Sequence, residues 1–169
     1  MARDEHVAYV GLGSNLGNRA GHLARALDLL RAAPGVRVGA VSALYETPPW
    51  GYTRQPAFLN AVARLATPLG PRQLLLALKS IERQVGREET FRWGPRVVDL
   101  DLLLYDDLRL RRRGLEVPHP GMLERAFVLV PLRDVYPDFR SPDGVSLDGL
   151  ISRVGTAGVR RLADGLRRC

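Results

Sequence analysis

The order of the patterned segments constrains the fold of this chain more than any other feature of its sequence. Short β-like stretches alternate with two stretches in which apolar residues recur every three or four positions, and glycine or proline separates the stretches. The resulting order is β-α-β-β-α-β, followed by further elements, which is the ferredoxin-like pattern. We therefore predict an α+β fold in which helices cover an antiparallel-rich sheet.

The predicted elements follow from apolar spacing and from the residues that interrupt it. Gly11, Gly13 and Gly17 are assigned to a tight turn after the first strand, and residues 46–56, which include three prolines, to a loop. Residues 117–120 are expected to be extended and rigid, because a proline also restricts the residue before it. The predicted strands cover residues 7–12, 36–45, 58–66, 97–105 and 108–110. The predicted helices cover residues 23–30, 70–86, 122–135 and 146–154.

Length and composition exclude several classes of protein. A chain of 169 residues fits one domain, since single domains cluster at roughly 100–200 residues. We predict one domain over residues 1–169, with a core at about 7–154 and a basic tail at 155–169. The one cysteine excludes a disulfide framework and a cysteine metal cluster. No apolar run approaches the ~18 residues that cross a bilayer, and no signal peptide is recognisable, so we expect a cytoplasmic protein without membrane association.

The formal net charge is +7, from 25 basic and 18 acidic side chains, and every basic side chain except Lys79 is an arginine. A basic balance fits nucleic acid, anionic lipid or a phosphorylated small molecule as partner. Residues 153–169 hold five arginines and one aspartate, and residues 109–113 hold a second cluster. We interpret both groups as solvated surface, and the tail as remote from any site. Individual arginines elsewhere remain candidate phosphate ligands, because the guanidinium fork suits phosphate.

The strongest local indication of chemistry is the segment Val-Val-Asp-Leu-Asp-Leu-Leu-Leu at residues 97–104. Strand alternation places Asp99 and Asp101 on one face. The opposite face then carries Val98, Leu100, Leu102 and Leu104. Aspartate is disfavoured in so apolar a strand, and paired carboxylates hold Mg²⁺ while leaving positions for water and phosphate. The pair therefore indicates a magnesium site, with a solvated sheet face as the alternative.

A loop rich in arginine directly precedes that strand. Arg92, Trp93 and Arg96 place two guanidiniums and an aromatic ring beside the aspartates, and Arg87 adds a third cation. Arginines near Mg²⁺-bound phosphates neutralise the charge that develops in phosphoryl transfer. A surface loop with a packing tryptophan is the alternative.

Further candidate residues suit recognition of a heterocycle. Asn60 offers donors and acceptors to the edge of a ring, and Phe58 could stack on its face. His119 is held between two prolines, which favours a ligand contact. The alternatives are a strand-edge asparagine, a structural histidine and, for Phe127, a core residue. Glu82, near the end of the second predicted helix, is by itself interpreted as a solvated helix residue.

Five separated segments then match one family in order and spacing: residues 13–17, 45–49, 55–60, 92–101 and 117–120. The sequence resembles the 6-hydroxymethyl-7,8-dihydropterin pyrophosphokinases of folate biosynthesis over about residues 7–154. The resemblance implies a three-layer α-β-α form of the ferredoxin-like fold with C-terminal additions. It also implies transfer of a diphosphoryl group from ATP to the pterin hydroxymethyl oxygen, with AMP as the leaving group.

The same resemblance assigns roles to individual residues, with Asp99 and Asp101 as ligands of two Mg²⁺ ions. The implied catalytic residues are Arg87, Arg92, Arg96, Asp99 and Asp101. The implied ATP-binding residues are Glu82, Arg87, Arg92, Trp93, Arg96, His119 and Arg125. The implied pterin-binding residues are Thr47, Pro48, Phe58, Asn60, Trp93 and Phe127. The chain departs from the family pattern at Glu88 and Glu89, where a basic residue is common, at Phe58 in place of tyrosine, and at Trp50 in place of a smaller apolar residue.

Two other functions stay open at this point. A ferredoxin-like RNA-binding domain fits the charge and the fold, although Asp99 and Asp101 would repel an RNA backbone on the sheet and no aromatic stripe of the RNP type is present. A catalytically silent relative that serves as a binding module is the other. We expect ATP and the pterin as partners, no nucleic acid, and a monomer.

Overall fold

A computed structural model describes residues 5–86, 92–162 and 166 of the chain. In chain order the strands are β1 (His6–Ser14), β2 (Arg37–Val41), β3 (Tyr45–Thr47), β4 (Phe58–Thr67), β5 (Asp99–Tyr105), β6 (Leu110–Arg112), β7 (Leu115–Val117) and β8 (Arg160–Arg161). The α-helices are α1 (Arg19–Ala32), α2 (Pro71–Val85), α3 (Ala126–Val135) and α4 (Leu147–Val154), and a 3-10 turn lies at Met122–Glu124. The predicted α+β class is confirmed.

The main sheet has the strand order β5-β1-β4-β3-β8, and β2 also pairs with β4. Every pairing in it is antiparallel. The two long strands, β1 and β4, lie side by side at the centre, which is the arrangement that the β-α-β-β-α-β order predicts. The strands β6 and β7 form a separate hairpin.

Two hydrophobic clusters on opposite faces of the sheet produce three layers. The helices α1 and α2 bury leucines such as Leu27 and Leu78 against one face. The helices α3 and α4 bury Leu129 and Leu150 against the other. The α-β-α layering implied by the resemblance is confirmed. Among the described residues, no helix is both long and apolar enough to cross a bilayer.

The first strand is longer than predicted, and the assignment of Gly11 and Gly13 to a turn is wrong. Both glycines lie inside β1, where they pair with β4 on one side and with β5 on the other. Ladder hydrogen bonds on both sides stabilise the extended backbone despite the low strand propensity of glycine. The turn begins only after Ser14.

The predicted strand at residues 36–45 divides into β2 and β3 around Ser42. The Ser42 backbone N–H donates to the Val62 carbonyl at 2.9 Å, and its hydroxyl accepts from the Val62 N–H at 2.8 Å. The second piece, β3, continues to Thr47. The loop predicted at residues 46–56 therefore begins at Pro48, two residues later than predicted. Thr47 thereby becomes a strand residue beside Phe58.

Three other local predictions need correction. A β-bulge between Tyr9 and Val10 shifts the register against β5, so Leu104 packs with α3 and α4 and not on the face of Leu102. The return strand predicted at residues 108–110 begins at Leu110 and pairs with β7. The helix predicted at residues 122–135 is interrupted at Arg125, whose backbone is extended.

Candidate active site

A cavity of about 330 Å³ opens where β1 ends and where β4 and β5 begin. Ligand pockets start at roughly 300 Å³, so the cavity suits a small molecule. The predicted site residues that line it are Thr47, Pro48, Phe58, Asn60, Arg92, Trp93, Arg96, Asp99, Asp101, His119, Arg125 and Phe127. Residues predicted from five separate segments of the chain therefore meet in one place.

Asp99 and Asp101 lie on the same face of β5 and are half-buried. On the neighbouring strand β1, Gly13 pairs with Asp99 and Gly11 pairs with Asp101, and both glycines also line the cavity. The β1 residues opposite the two carboxylates therefore carry no side chains. The described residues hold no group of three or more acidic, histidine or cysteine side chains that could enclose a metal ion. Two carboxylates alone fit Mg²⁺ that takes its other ligands from water and phosphate.

A buried hydrogen bond joins two of the predicted pterin-binding residues. The Asn60 side-chain amide donates to the Thr47 hydroxyl at 2.6 Å, and both side chains are buried. A Cβ atom placed on Gly13 would lie 2.8 Å from Asn60 Oδ1, so Gly13 leaves the space that this side chain occupies. Phe58, two residues earlier on β4, also borders the cavity. The amide edge of Asn60 is thus held rigidly beside an aromatic face.

Aromatic rings surround Arg125 at the start of α3. Its guanidinium carbon lies 5.7 Å from the ring centre of Trp50, 5.6 Å from that of Trp93 and 5.8 Å from that of Phe127. Such cation–π contacts stabilise a guanidinium over apolar surface. The arrangement puts a phosphate-binding group and three flat rings along one wall of the cavity.

His119 follows the cis peptide between Val117 and Pro118, and its backbone N–H donates to the Leu103 carbonyl of β5 at 2.8 Å. Burial lowers the pKa of His119 below its usual 6.5, and the neighbouring Arg125 guanidinium lowers it further. The imidazole is therefore neutral at neutral pH, with one donor and one acceptor nitrogen. The strand contact holds this ring at the cavity beside Asp99.

Two amide side chains connect the loops that border the cavity. Asn15 accepts from the Arg96 N–H at 2.8 Å through its side chain, and its backbone N–H donates to the Arg96 carbonyl at 3.1 Å. Its amide also donates to Gln55 Oε1 at 2.8 Å. The Gln55 amide in turn donates to the Trp93 carbonyl at 2.6 Å. The loop carrying Trp93 and Arg96 is thereby attached to both the end of β1 and the loop after β3.

Two predicted ATP-binding residues are not among those that line the cavity. Glu82 is buried on α2, and its carboxylate lies 2.7 Å from Lys79 Nζ, so the sequence-based alternative of a solvated helix residue is wrong. Arg87 lies outside the described residues, as do Glu88 and Glu89, where the chain departs from the family pattern. The roles of Glu82 and Arg87 stay predictions.

The sequence did not identify every residue that shapes the site. Asn15 and Gln55 belong to segments that carry the resemblance, but their partners are up to 81 residues away in the chain. Trp50 was noted only as a departure, and the cavity wall includes its ring. The place of Asn15 and Gln55 within those segments was the one available signal, since hydrogen bonds between distant loops leave no local pattern in the sequence.

The expectation that the basic tail is remote from the site is wrong for its described part. The strand β8 pairs with β3, so that Arg160 lies opposite Glu46 and Arg161 opposite Tyr45. Glu46 directly precedes Thr47. The tail therefore contacts the strand that carries a cavity residue.

Comparison with known proteins agrees with this geometry. The model of the family described as 7,8-dihydro-6-hydroxymethylpterin-pyrophosphokinase matches residues 9–137. The 2-amino-4-hydroxy-6-hydroxymethyldihydropteridine pyrophosphokinase of Methylorubrum extorquens is 45% identical over 155 residues, which cover 92% of this chain and 98% of that protein. The enzyme of the same name from Pseudomonas aeruginosa is 47% identical over 154 residues, covering 91% and 95%.

Solved structures agree on the fold. A crystal structure of a Plasmodium falciparum HPPK-DHPS variant with pteroate superposes with a TM-score of 0.75 at 14% identity, over 98% of this chain. This chain spans 46% of that one, so the likeness concerns the fold of the matching part alone. The predicted pyrophosphokinase activity in folate biosynthesis is confirmed by the family and by its named relatives. The chain belongs to the 7,8-dihydro-6-hydroxymethylpterin-pyrophosphokinase family.

Proposed function

We propose that the cavity at the ends of β1, β4 and β5 is where ATP and 6-hydroxymethyl-7,8-dihydropterin meet. The observation that carries this proposal is the meeting, in one cavity, of paired carboxylates, guanidiniums and a buried amide beside aromatic rings. In the reaction the pterin hydroxymethyl oxygen forms a bond to the β-phosphorus of ATP. The bond from that phosphorus to the oxygen bridging it to the α-phosphorus breaks, AMP leaves with that oxygen, and the hydroxyl proton is lost to water.

Asp99 and Asp101 are the proposed ligands of two Mg²⁺ ions. Their two half-buried carboxylates on one strand face support this role, and the open glycine backbone of β1 beside them leaves space for phosphate oxygens. When bound, Mg²⁺ neutralises phosphate charge and makes a coordinated hydroxyl more acidic. The carboxylates fix where that charge is placed. Because phosphoryl transfer needs little covalent work from side chains, no further residue is required as a general base.

The arginines are proposed to bind ATP, and the aromatic residues are proposed to bind the pterin. Arg92, Arg96 and Arg125 face the cavity and would bind the triphosphate, with Arg87 and Glu82 as further ATP ligands from the resemblance. His119 is neutral and would offer hydrogen bonds to the nucleotide. For the pterin, Asn60 with Thr47 and Pro48 would bind the ring edge. Phe58 and Phe127 would stack on its faces, and Trp93 would cover it.

The test of the function is the identity of the nucleotide product. The protein is incubated with ATP, MgCl₂ and 6-hydroxymethyl-7,8-dihydropterin, and nucleotides are separated by ion-exchange chromatography. AMP is expected to form in a one-to-one ratio with the pterin diphosphate, and a chelator in excess of Mg²⁺ is expected to stop the reaction. Formation of ADP would contradict diphosphoryl transfer, and full activity in the chelator would contradict the metal dependence.

The metal ligands are tested by Asp99→Asn and Asp101→Asn. Each is expected to lower turnover by roughly two to three orders of magnitude, because a lost ligand removes several kcal/mol of charge stabilisation. Quenching of Trp50 and Trp93 fluorescence by the pterin should persist. Asp107→Asn is the matched control, since Asp107 is exposed just beyond the same strand and outside the cavity lining. Near-normal turnover of either variant would exclude that carboxylate as a metal ligand.

The remaining sequence-based expectations are a monomer, a cytoplasmic location and no nucleic-acid partner. They stay predictions.

A further inference from the structure

The described end of the chain contacts a residue of the candidate site directly. A Cβ atom placed on Gly158 would lie 2.8 Å from Pro48 Cγ and 3.1 Å from Pro48 Cδ. Real Cβ atoms do not approach other atoms so closely, so the Gly158 backbone packs on the proline ring with no space for a side chain. Pro48 is one of the residues that line the cavity. Gly158 therefore supports the outer side of a proline whose other side borders the cavity.

Backbone pairing holds this part of the chain in place. Residues 156–162, here called the C-terminal segment, include β8, which adds to the edge of the sheet beside β3. The Leu162 N–H donates to the Leu44 carbonyl at 2.8 Å, one position beyond the Arg161–Tyr45 pair. The Val159 N–H donates to the Thr156 carbonyl at 3.0 Å and closes the turn that carries Gly158. Gly158 is thus placed against Pro48 by hydrogen bonds on both sides of it.

A carboxylate that accepts hydrogen bonds from two guanidiniums also connects the C-terminal segment to β3. Glu46 Oε2 accepts from Arg19 at 2.9 Å, and Glu46 Oε1 accepts from Arg160 at 2.9 Å. Arg19 also donates to the Ala57 carbonyl at 2.9 Å, immediately before Phe58. The hydrogen bond from Arg19, followed by the one from Arg160, holds the pKa of Glu46 below its usual 4.5, so the carboxylate is charged at neutral pH. The cluster connects the C-terminal segment, β3, α1 and the start of β4.

We propose that the C-terminal segment positions Thr47 and Pro48 for the pterin, with Gly158 and Arg160 as positioning residues. The inference rests on the proposed function, in which these two residues bind the pterin edge. The contacts described above join the segment to Leu44, to β3 and to Pro48, which together lead into the pterin side of the cavity. The segment is therefore expected to affect the affinity for the pterin and to leave the affinity for ATP unchanged.

The first test compares two turn glycines of positive φ. Gly158 has φ +77° and Gly114, in the turn between β6 and β7, has φ +73°, but a Cβ atom on Gly114 would meet nothing within 4 Å. Alanine at either position takes a φ that L residues rarely adopt, and only Gly158→Ala adds the contact with Pro48. We expect Gly158→Ala to raise the KM for the dihydropterin by roughly tenfold, since a misplacement of ~1 Å by a mutation far from the chemistry can cost up to about 100-fold. Gly114→Ala should keep the wild-type KM for the dihydropterin, and both variants should keep the wild-type KM for ATP.

The second test removes one charge at a time from β8. Arg160 donates to Glu46, whereas its neighbour Arg161 donates no side-chain hydrogen bond to a carboxylate of the described residues and serves as the matched control of equal charge. Both side chains are exposed, so neither variant threatens folding. Arg160→Gln is expected to raise the KM for the dihydropterin severalfold, and Arg161→Gln to leave it unchanged. Equal effects of the two variants would indicate a general electrostatic influence and overturn the proposal.

The outcomes separate this inference from the proposed function. If Asn60→Ala abolishes pterin binding while Gly158→Ala and Arg160→Gln behave as wild type, the cavity assignment stands and the positioning role is wrong. If Asn60→Ala leaves pterin binding intact, the cavity assignment itself is wrong. A parallel rise in the KM values for pterin and ATP in Gly158→Ala would show a general structural defect and would also overturn the positioning role.

Discussion

At the residue scale, the close approach between Gly13 and Asn60 leaves no space for any residue larger than glycine at position 13. Gly13 lies in β1 opposite Asn60 of β4 and Asp99 of β5, so it touches both halves of the candidate site. The 2.8 Å that separates its missing Cβ position from Asn60 Oδ1 leaves no room for a methyl group. The neighbouring Thr47 hydroxyl fixes the other end of the amide. Asn60 therefore cannot move aside without breaking a buried hydrogen bond.

Gly13→Ala is expected to weaken pterin binding by roughly tenfold or more, because losing the Asn60–Thr47 hydrogen bond costs about 1–3 kcal/mol. The measurement is titration of the protein with the dihydropterin, followed by tryptophan fluorescence. Gly39→Ala is the control, since Gly39 also lies in a strand and its added Cβ would be 3.5 Å from the nearest atom, the Arg64 carbonyl oxygen. Wild-type pterin affinity in Gly13→Ala would mean that Asn60 does not hold the ring edge.

The residues predicted from sequence were those whose chemistry is local. Asp99 and Asp101 stood out because a charged pair at strand alternation in an apolar segment needs a reason, and the structure places both at the cavity. Asn15 and Gln55 could not be assigned because their hydrogen bonds join loops far apart in the chain. Glu82 is buried on its helix with its carboxylate beside Lys79, and the sequence alone does not reveal that pairing.

At the element scale, the strands that were misjudged are those stabilised by distant partners. The central strand β1 continues through Gly11 and Gly13 because two neighbouring strands bond to it. The two-residue strand β8 has no sequence pattern of its own, and its existence depends on the edge that β3 offers. The helices α1 and α2 follow their apolar spacing, with Asn18 and Gly70 directly before them and Gly86 after α2. Local pattern thus predicts helices and long strands but not pairing across an edge.

The ion pairs of Glu46 give the junction of β3 and β8 a pH dependence. The pKa of Glu46 is lowered in the folded protein, chiefly by the hydrogen bond from Arg19, so its carboxylate stabilises the fold. That stabilisation is fully present above the usual pKa of 4.5 and is lost as the pH falls through the lower folded-state pKa. We expect Glu46→Gln to lower the free energy of unfolding at neutral pH. The difference from wild type should shrink as the pH falls below 4.5.

Urea unfolding followed by circular dichroism at several pH values measures this difference. Glu124→Gln is the control, because Glu124 is exposed and forms no ion pair with the described residues. A pH-independent difference between wild type and Glu46→Gln would mean that the carboxylate charge does not stabilise the junction. The solvent exposure of Arg160 limits its part of the effect, since exposed ion pairs contribute little to stability.

At the scale of the whole molecule, exposed arginines lie on elements outside the two sheet faces, which helices cover. The helices α1 and α2 cover one face of the sheet, and α3 and α4 cover the other. Arginines 111–113 are exposed on and beside the β6–β7 hairpin, and Arg160 and Arg161 are exposed on β8. The cations are therefore distributed over separate exposed elements, while the cavity brings arginines and paired carboxylates together.

This distribution predicts that the protein does not bind single-stranded RNA. Ferredoxin-like RNA-binding domains stack bases on an open sheet face, and here helices occupy both faces while Asp99 and Asp101 stand at the opening. Fluorescence anisotropy with a labelled oligonucleotide of about 16 nucleotides, long enough for known single-strand sites, is expected to show no saturable binding at physiological salt. Any association at low salt should disappear steeply as salt rises, because only counterion release would drive it. Saturable binding that persists at physiological salt, and that ATP with Mg²⁺ displaces, would instead place the RNA in the cavity and contradict its assignment to small substrates.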